Sequence, residues 1–248
     1  GVVHGVDLRT GQDVTGDAEF GGDRTCRGGV VAGDQLDIEV DVETDAKTLV
    51  TTPAAGKFYR SHGPTSRVTA NLSVKENGYL EWLPQETIVF PGCRAEIITR
   101  VNLDNQSSGF AGWEIMCLGR PASKDYFTTG CSKQSFEIWR DGTPILIDRN
   151  TFDGGSPVLS EAWGLGGRTV TGIFACVTSE DLVDEVRSIL PPPTQETLVA
   201  ISHLEGVLVA RYLGHHAEEA RTYFTKIWEV VRPRLSQRKI CEPRIWNT

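Results

Sequence analysis

Three acids sit where charge is hard to place: Asp34 follows Ala32-Gly33, Glu114 stands between Trp113 and Ile115, and Asp148 follows Leu146-Ile147. An ionised carboxylate among such neighbours is costly to bury unless it is paired. Two readings follow. Each acid is the partner of an arginine, for which Arg120, Arg140 and Arg149 are the candidates. Alternatively, the acids line a wet passage, where carboxylates bind a transition metal more weakly than imidazole or thiolate and suit an ion in transit better than one in storage. Glu81 and Glu114 each adjoin a tryptophan, Trp82 and Trp113. Apolar surroundings of that kind raise a carboxyl's pKa in acid/base enzymes, so a hydrolase or lyase built on this pair is the alternative function.

Other chemistry lacks its residues. The five histidines (His4, His62, His203, His215 and His216) form no His-x-His and no H-E-x-x-H pattern. Adjacent rings at His215 and His216 would point about 100° apart on a helix, so no stable high-affinity metal site is expected. Cys93 and Cys117 have apolar or small neighbours and read as core thiols. Gly164-Leu165-Gly166-Gly167 lacks the Lys-Ser or Lys-Thr of a phosphate loop, and no G-x-S-x-G elbow is present. Catalytic residues are therefore assigned nowhere.

The elements that would position these acids are mostly strands. Leu36, Ile38, Val40 and Val42 alternate with Asp37, Glu39 and Asp41, a period of two that puts one set on a core face and the other in water. Same-face acids on a strand are about 6.7 Å apart, which is tolerable when solvated and prohibitive when buried. The row from Asp37 to Asp45 therefore faces solvent. Val68 to Val74 alternates likewise; residues 95–101, 134–140, 144–149 and 168–177 are further strands. Asn77-Gly78, Pro91-Gly92, Asp141-Gly142 and Asp153-Gly154-Gly155 supply the turns. Near the end, Ser179-Glu180-Asp181 opens a helix carrying Leu182, Val186, Ile189 and Leu190, stopped by three prolines from Pro191. A hairpin about Glu205-Gly206 and a second helix from about His215 follow; Ala220, Phe224, Ile227, Trp228 and Val231 form its apolar stripe, and it is expected to close near Pro233. The fold class is mainly β, with two C-terminal α-helices.

At 39% hydrophobic and 23% charged, the 248-residue chain has enough apolar material for a real core. With 25 basic and 33 acidic residues its formal charge is −8, which opposes non-specific nucleic-acid binding. Its six cysteines are scattered, with no C-x-x-C, and no run approaches the roughly 18 apolar residues of a membrane span. A cytoplasmic protein with reduced thiols and no membrane partner is expected. Residues 1–27, rich in Gly, Asp, Thr and Arg, read as a lead-in to a single domain over residues 28–248.

Five stretches occur in a specific order. They are Gly29-Val30-Val31-Ala32-Gly33-Asp34, the segment TTPAAGKFYRS from Thr51, LEWLPQETIVF from Leu80, Gly112-Trp113-Glu114 through Cys117-Leu118-Gly119-Arg120-Pro121, and Pro243-Arg244-Ile245-Trp246. In these the chain resembles the urease accessory protein D family, called H in some organisms. It departs from that family at the front, where Thr25-Cys26-Arg27 replaces a His-Pro-Pro-type approach. The resemblance implies a β-helix-like stack of strands with the two helices set against it, and a non-catalytic maturation factor. It further implies docking on urease apoprotein together with accessory proteins F and G, the latter a GTPase. No cofactor is tightly bound; nickel passes in transit, along an internal route that Asp34, Glu114 and Asp148 would line. Lys57, Phe58, Tyr59, Arg60, Glu81, Trp82, Trp113 and Arg120, within the resembling stretches, would hold the β core or present the partner surface.

Overall fold

The structure is a computed structural model describing residues 6–7, 29–192 and 194–247; the expected lead-in of residues 1–27 lies outside the described residues apart from the strand β1 (Val6–Asp7). The chain then passes back and forth between two sheets. β2 (Gln35–Val42) belongs to the first, and β3 (Lys47–Val50) and β4 (Gly56–Phe58) to the second. β5 (Ser66–Val74) returns to the first sheet, β6 (Tyr79–Trp82) and β7 (Thr87–Val89) to the second, and β8 (Arg94–Leu103) to the first. β9 (Gly109–Arg120) lies in the second with the short β10 (Asp125–Tyr126) beside it; β11 (Cys131–Arg140) and β12 (Thr143–Asp153) complete the first. After a helical turn α1 (Pro157–Ser160) come β13 (Val170–Val177), α2 (Val183–Ile189), the hairpin of β14 (Leu198–Leu204) and β15 (Val207–Gly214), and the helix α3 (Ala217–Ser236).

Register explains why the first half stacks. Gln35 lies opposite Arg67, Arg67 opposite Glu96, and Glu96 opposite Lys133, all in parallel pairs. In the second sheet Lys47 lies opposite Tyr79, and Tyr79 opposite Gly109, again in parallel. Each pass of chain therefore rests on the one before, and its inward side chains meet their counterparts one pass away. From β12 onward the pairing is antiparallel, and among the described residues neither sheet closes on itself. The stacked-strand expectation thus describes the parallel half of the molecule.

Alternation works as the residues dictate. In β2, Val40 and Val42 are buried while Asp37, Glu39 and Asp41 are exposed, and Glu43 and Asp45 carry the wet row into the turn. Asp141 and Gly142, at φ 48° and 70°, make the β11–β12 turn; Glu205 and Gly206, at 50° and 81°, make the β14–β15 turn. Paired positive φ values match the twist of a tight hairpin.

Three apolar clusters result. Two lie between the sheets: one around Leu72, Trp82, Phe110, Phe136 and Val209, the other around Phe58, Val89, Ile97, Met116 and Phe152. The third lies on the far side of the second sheet, where α3 lays Ala220, Phe224, Ile227, Trp228 and Val231, all fully buried, over Trp113, Phe174 and Tyr212. β9 is sandwiched, buried on both faces, so it shows no period of two.

Both helices differ from expectation at their ends. Ser179 caps nothing: Asp181 Oδ1 accepts from the Val183 amide at 3.1 Å, and α2 starts at Val183. Of its stripe, Leu182 and Val186 are buried, whereas Ile189 is exposed. α3 runs through Pro233 to Ser236. A proline removes one backbone donor, but the final turn keeps other ties: Ser236 Oγ donates to the Arg232 carbonyl (2.8 Å) and Lys47 Nζ to the Ser236 carbonyl (2.8 Å).

Candidate functional site

Between the two inner clusters runs a polar seam. Its position follows from strand alternation. In β9 the inward side chains include Phe110 of one cluster and Met116 and Leu118 of the other, with Glu114 in the interval. In β8, Thr99 falls between Ile97 and Val101; in β11, Gln134 falls between Ser132 and Phe136. These polar side chains meet across the sheets. The Thr99 hydroxyl donates to one Glu114 carboxylate oxygen and Gln134 Nε2 donates to the other at 2.7 Å. Next to them, Ser132 Oγ donates to Met116 Sδ at 3.7 Å.

The seam reaches the surface along β12. Asp148 is opposed to Phe136 and Asn150 to Gln134, so both belong to the same level as the Glu114 cluster. Asn150 Nδ2 donates to Asp148 Oδ1 at 2.6 Å, and Arg211 from β15 donates through Nε at 3.1 Å and through a second nitrogen to Asp148 Oδ2. The Asp148 side chain is 13% exposed and the Arg211 side chain 52%, which marks the rim. The electrostatics grade in the same direction. Burial pushes the Glu114 carboxyl up to about 7, the Thr99 and Gln134 hydrogen bonds hold it down, and the Asp148 charge adds to the rise. Its two hydrogen-bond partners are neutral. A buried carboxyl in this state exchanges its proton near neutral pH.

Two of the three singled-out acids are therefore brought together, and Asp34 is not among them. Asp34 is exposed in a turn, where its carboxylate accepts from the Val31 amide at 3.0 Å; its small neighbours Ala32 and Gly33 belong to a surface turn. The arginine pairings also differ from those expected. Arg120 pairs with Asp125 and Arg149 with Glu137, Arg140 donates to Gln106 at 2.9 Å, and Asp148 takes Arg211. Arg211 is the one charge inside the run Val207–Gly214, and that isolation was the available signal. Glu137, standing between Phe136 and Ile138 as Glu114 stands between Trp113 and Ile115, carried the same signal and was missed; it accepts from Arg149 (2.6 and 2.9 Å), Trp139 (2.9 Å), Ser135 (2.8 Å) and Arg100 (3.2 Å). Burial raises its pKa, but these donors outweigh burial and bring it down to about 2.

Glu81 faces the other way. It meets α3, accepting from Trp228 Nε1 at 2.8 Å with Arg232 at 3.6 Å, and Arg232 also lies over the Trp228 ring at 4.7 Å. Burial raises its pKa while Arg232 and Trp228 lower it. Glu81 and Glu114 thus occupy opposite faces of the second sheet, and the paired-acid site of a hydrolase or lyase is not assembled. Among the described residues no three His, Cys, Asp or Glu side chains gather in a way that could hold a metal ion.

The two longest motifs are stacked on each other. Thr51 Oγ1 donates to the Leu83 carbonyl (2.6 Å), Gln85 N to Thr52 Oγ1 (2.9 Å), and Trp113 Nε1 to the Pro84 carbonyl (2.9 Å). Trp246 closes the corner, donating to Thr51 Oγ1 at 3.0 Å with its ring 5.5 Å from Trp113 and 6.1 Å from Trp228. This corner interrupts the β6–β7 side of β9 beside Glu114: β6 pairs up to Gly112 and β7 resumes at Met116. Phe58, Trp82 and Trp113 are core; Lys57 and Tyr59 are half-buried; Arg60 and Arg120 are exposed.

Comparison with known proteins agrees with these motifs. The sequence profile of the family described as UreD urease accessory protein matches residues 25–247. The urease accessory protein UreD of Dechloromonas aromatica is 41% identical over 226 residues, which cover 89% of this chain and 77% of that protein. That of Pseudoalteromonas translucida is 40% identical, with 89% and 74% covered, and that of Citrobacter koseri 36% identical, with 89% and 75% covered. From the ordered motifs, the profile match over nearly the whole described chain and these relatives, the chain belongs to the UreD urease accessory protein family.

Proposed function

We propose that this chain is a non-catalytic urease maturation factor, which docks on urease apoprotein with accessory proteins F and G and assists nickel insertion. Family membership carries the urease part. The seam carries the nickel part: a buried carboxyl held by neutral donors, followed toward the surface by a second carboxylate at the rim. Such a succession offers weak oxygen ligands to a cation on its way elsewhere. Nickel is cargo in this reading, and no cofactor stays behind. Asp34 has no part in the route, being exposed in its turn.

We take the site of action to be the cytoplasm. Cys93 and Cys176 are fully buried free thiols, suited to a reducing compartment, and no helix of the described residues is long and apolar enough to cross a membrane.

The test is co-expression of Glu114→Gln or Asp148→Asn with urease and its accessory proteins, measuring assembly and urease nickel on one preparation. Intact assembly with nickel-poor urease is expected for both, and normal loading for Asp34→Asn. Normal nickel content in both seam variants would refute the route.

A further inference from the structure

The parallel stack also builds a feature on the outside of the second sheet. Tyr59 follows β4, and Phe90 follows β7 one pass later, with the Phe90 amide bonded to the Phe58 carbonyl at 3.0 Å. Their rings touch in a tilted arrangement, with centroids 4.9 Å apart and planes 34° from parallel. On the next pass the register continues from Val89 opposite Leu118 to Gly119, which has no side chain and is paired with Tyr126 of β10. The backbone of Asp125 to Phe127 lies against Gly119, and the next residue, Arg120, holds its guanidinium 4.6 Å from the centre of the Phe90 ring and is ion-paired to Asp125. Tyr126 is 55% exposed. The result is a column, Tyr59–Phe90–Arg120, with Tyr126 beside it.

Its surroundings are basic in an acidic protein. Arg60 is exposed, its stem lying over Gly92, and Lys124 is exposed beside Asp125. Neither forms an ion pair among the described residues. With Arg120 paired to Asp125, the column carries two cations that have no ion-pair partner among the described residues, on a chain of net charge −8. Aromatic residues and arginine are the types enriched at protein-binding hot spots. The contacts among Tyr59, Phe90, Arg120 and Asp125 restrict those side chains before binding, which lowers the side-chain entropy lost on binding. A nucleic acid could also stack on such rings, but the overall negative charge repels a long polyanion.

We propose that the Tyr59–Phe90–Arg120–Tyr126 column is a docking surface for an acidic segment of a partner protein, with Arg60 and Lys124 as its charge readers. This rests on the maturation-factor reading, which supplies the partners to be tested. The tagged chain is co-expressed with urease apoprotein and accessory proteins F and G, and retained proteins are quantified at low and high salt. Tyr126→Ser, and Arg60→Glu combined with Lys124→Glu, should reduce retention of one acidic partner about tenfold or more. The thermal midpoint should not change, since these side chains are exposed, and the wild-type interaction should weaken with salt. Undiminished retention by both variants would overturn the docking surface and leave the maturation reading standing. Failure of the wild-type chain to retain any of these proteins would overturn both. Two controls exclude other occupants: a dimer of the chain alone that the variants break, or binding of a labelled single-stranded oligonucleotide, would reassign the surface and refute the proposal.

Discussion

Glu114→Gln tests the seam through stability alone, without any partner. Glu114 is 8% exposed and its carboxyl has an ordinary value of 4.5, raised to about 7 in the folded chain. Between those values the native state holds a proton that the unfolded state has released. Stability must then fall as pH rises, by about 1.4 kcal/mol per unit, and by about 3 kcal/mol across the window. Glutamine is close to the protonated acid in shape and has no proton to lose. It can accept from Thr99, and if the Gln134 amide turns over it can donate to Gln134. The neutral acid makes the same demand. Wild type and variant should therefore have similar stability near pH 5, while near pH 8 the variant should be more stable by about 3 kcal/mol. Denaturant unfolding of both proteins at pH 5, 6, 7 and 8 reads this difference, in which the shared titrations cancel. Parallel stability–pH curves would show that Glu114 keeps an ordinary pKa, and the account of a buried carboxyl with only neutral partners would fall. A variant less stable at every pH would mean that the hydrogen bonds need the ionised form.

Trp228→Ala should cost about 3–5 kcal/mol, since it empties a fully buried site between α3 and the second sheet and takes away the Glu81 donor; a loss below about 1 kcal/mol in denaturant unfolding would show that α3 is not a fixed layer. Glu137 has the opposite linkage sign from Glu114: its folded value of about 2 lies below the ordinary 4.5, so its contribution is full above pH 4.5 and is lost as pH falls toward 2. Glu137→Gln should accordingly flatten the acid limb of the stability profile, and an unchanged limb in acid titration followed by circular dichroism would refute the assignment.

Much of this architecture is written in local pattern. The period of two in β2 and β5, the Asp141-Gly142 and Glu205-Gly206 turns, and the five-residue stripe of α3 all fold as their chemistry demands. Each of these depends on neighbours within a few residues. The exposure of Asp37, Glu39 and Asp41 follows as directly, because burying that row would cost more than the strand could return. The ordered motifs identified the family for the same reason: they are contiguous words, legible without a fold.

Direction and partnership were decided elsewhere. Glu81 and Glu114 look alike in sequence, each beside a tryptophan, yet one faces α3 and the other the seam. That choice depends on strand offset, and in β9 burial on both faces erases the alternation that would reveal it. Helix ends behave likewise: α3 continues past Pro233 to a last turn whose Ser236 carbonyl accepts from Lys47 of a distant strand, a tie that local spacing does not show. Thr99, Gln134 and Arg211 could not be matched to their carboxylates, since parallel stacking and hairpin return join positions that no local spacing connects. The chain's own residues determined which side chains could carry charge, turn or packing. Only the register of one pass upon another decided which of them would meet, because a one-residue shift turns every side chain of a strand to the opposite face.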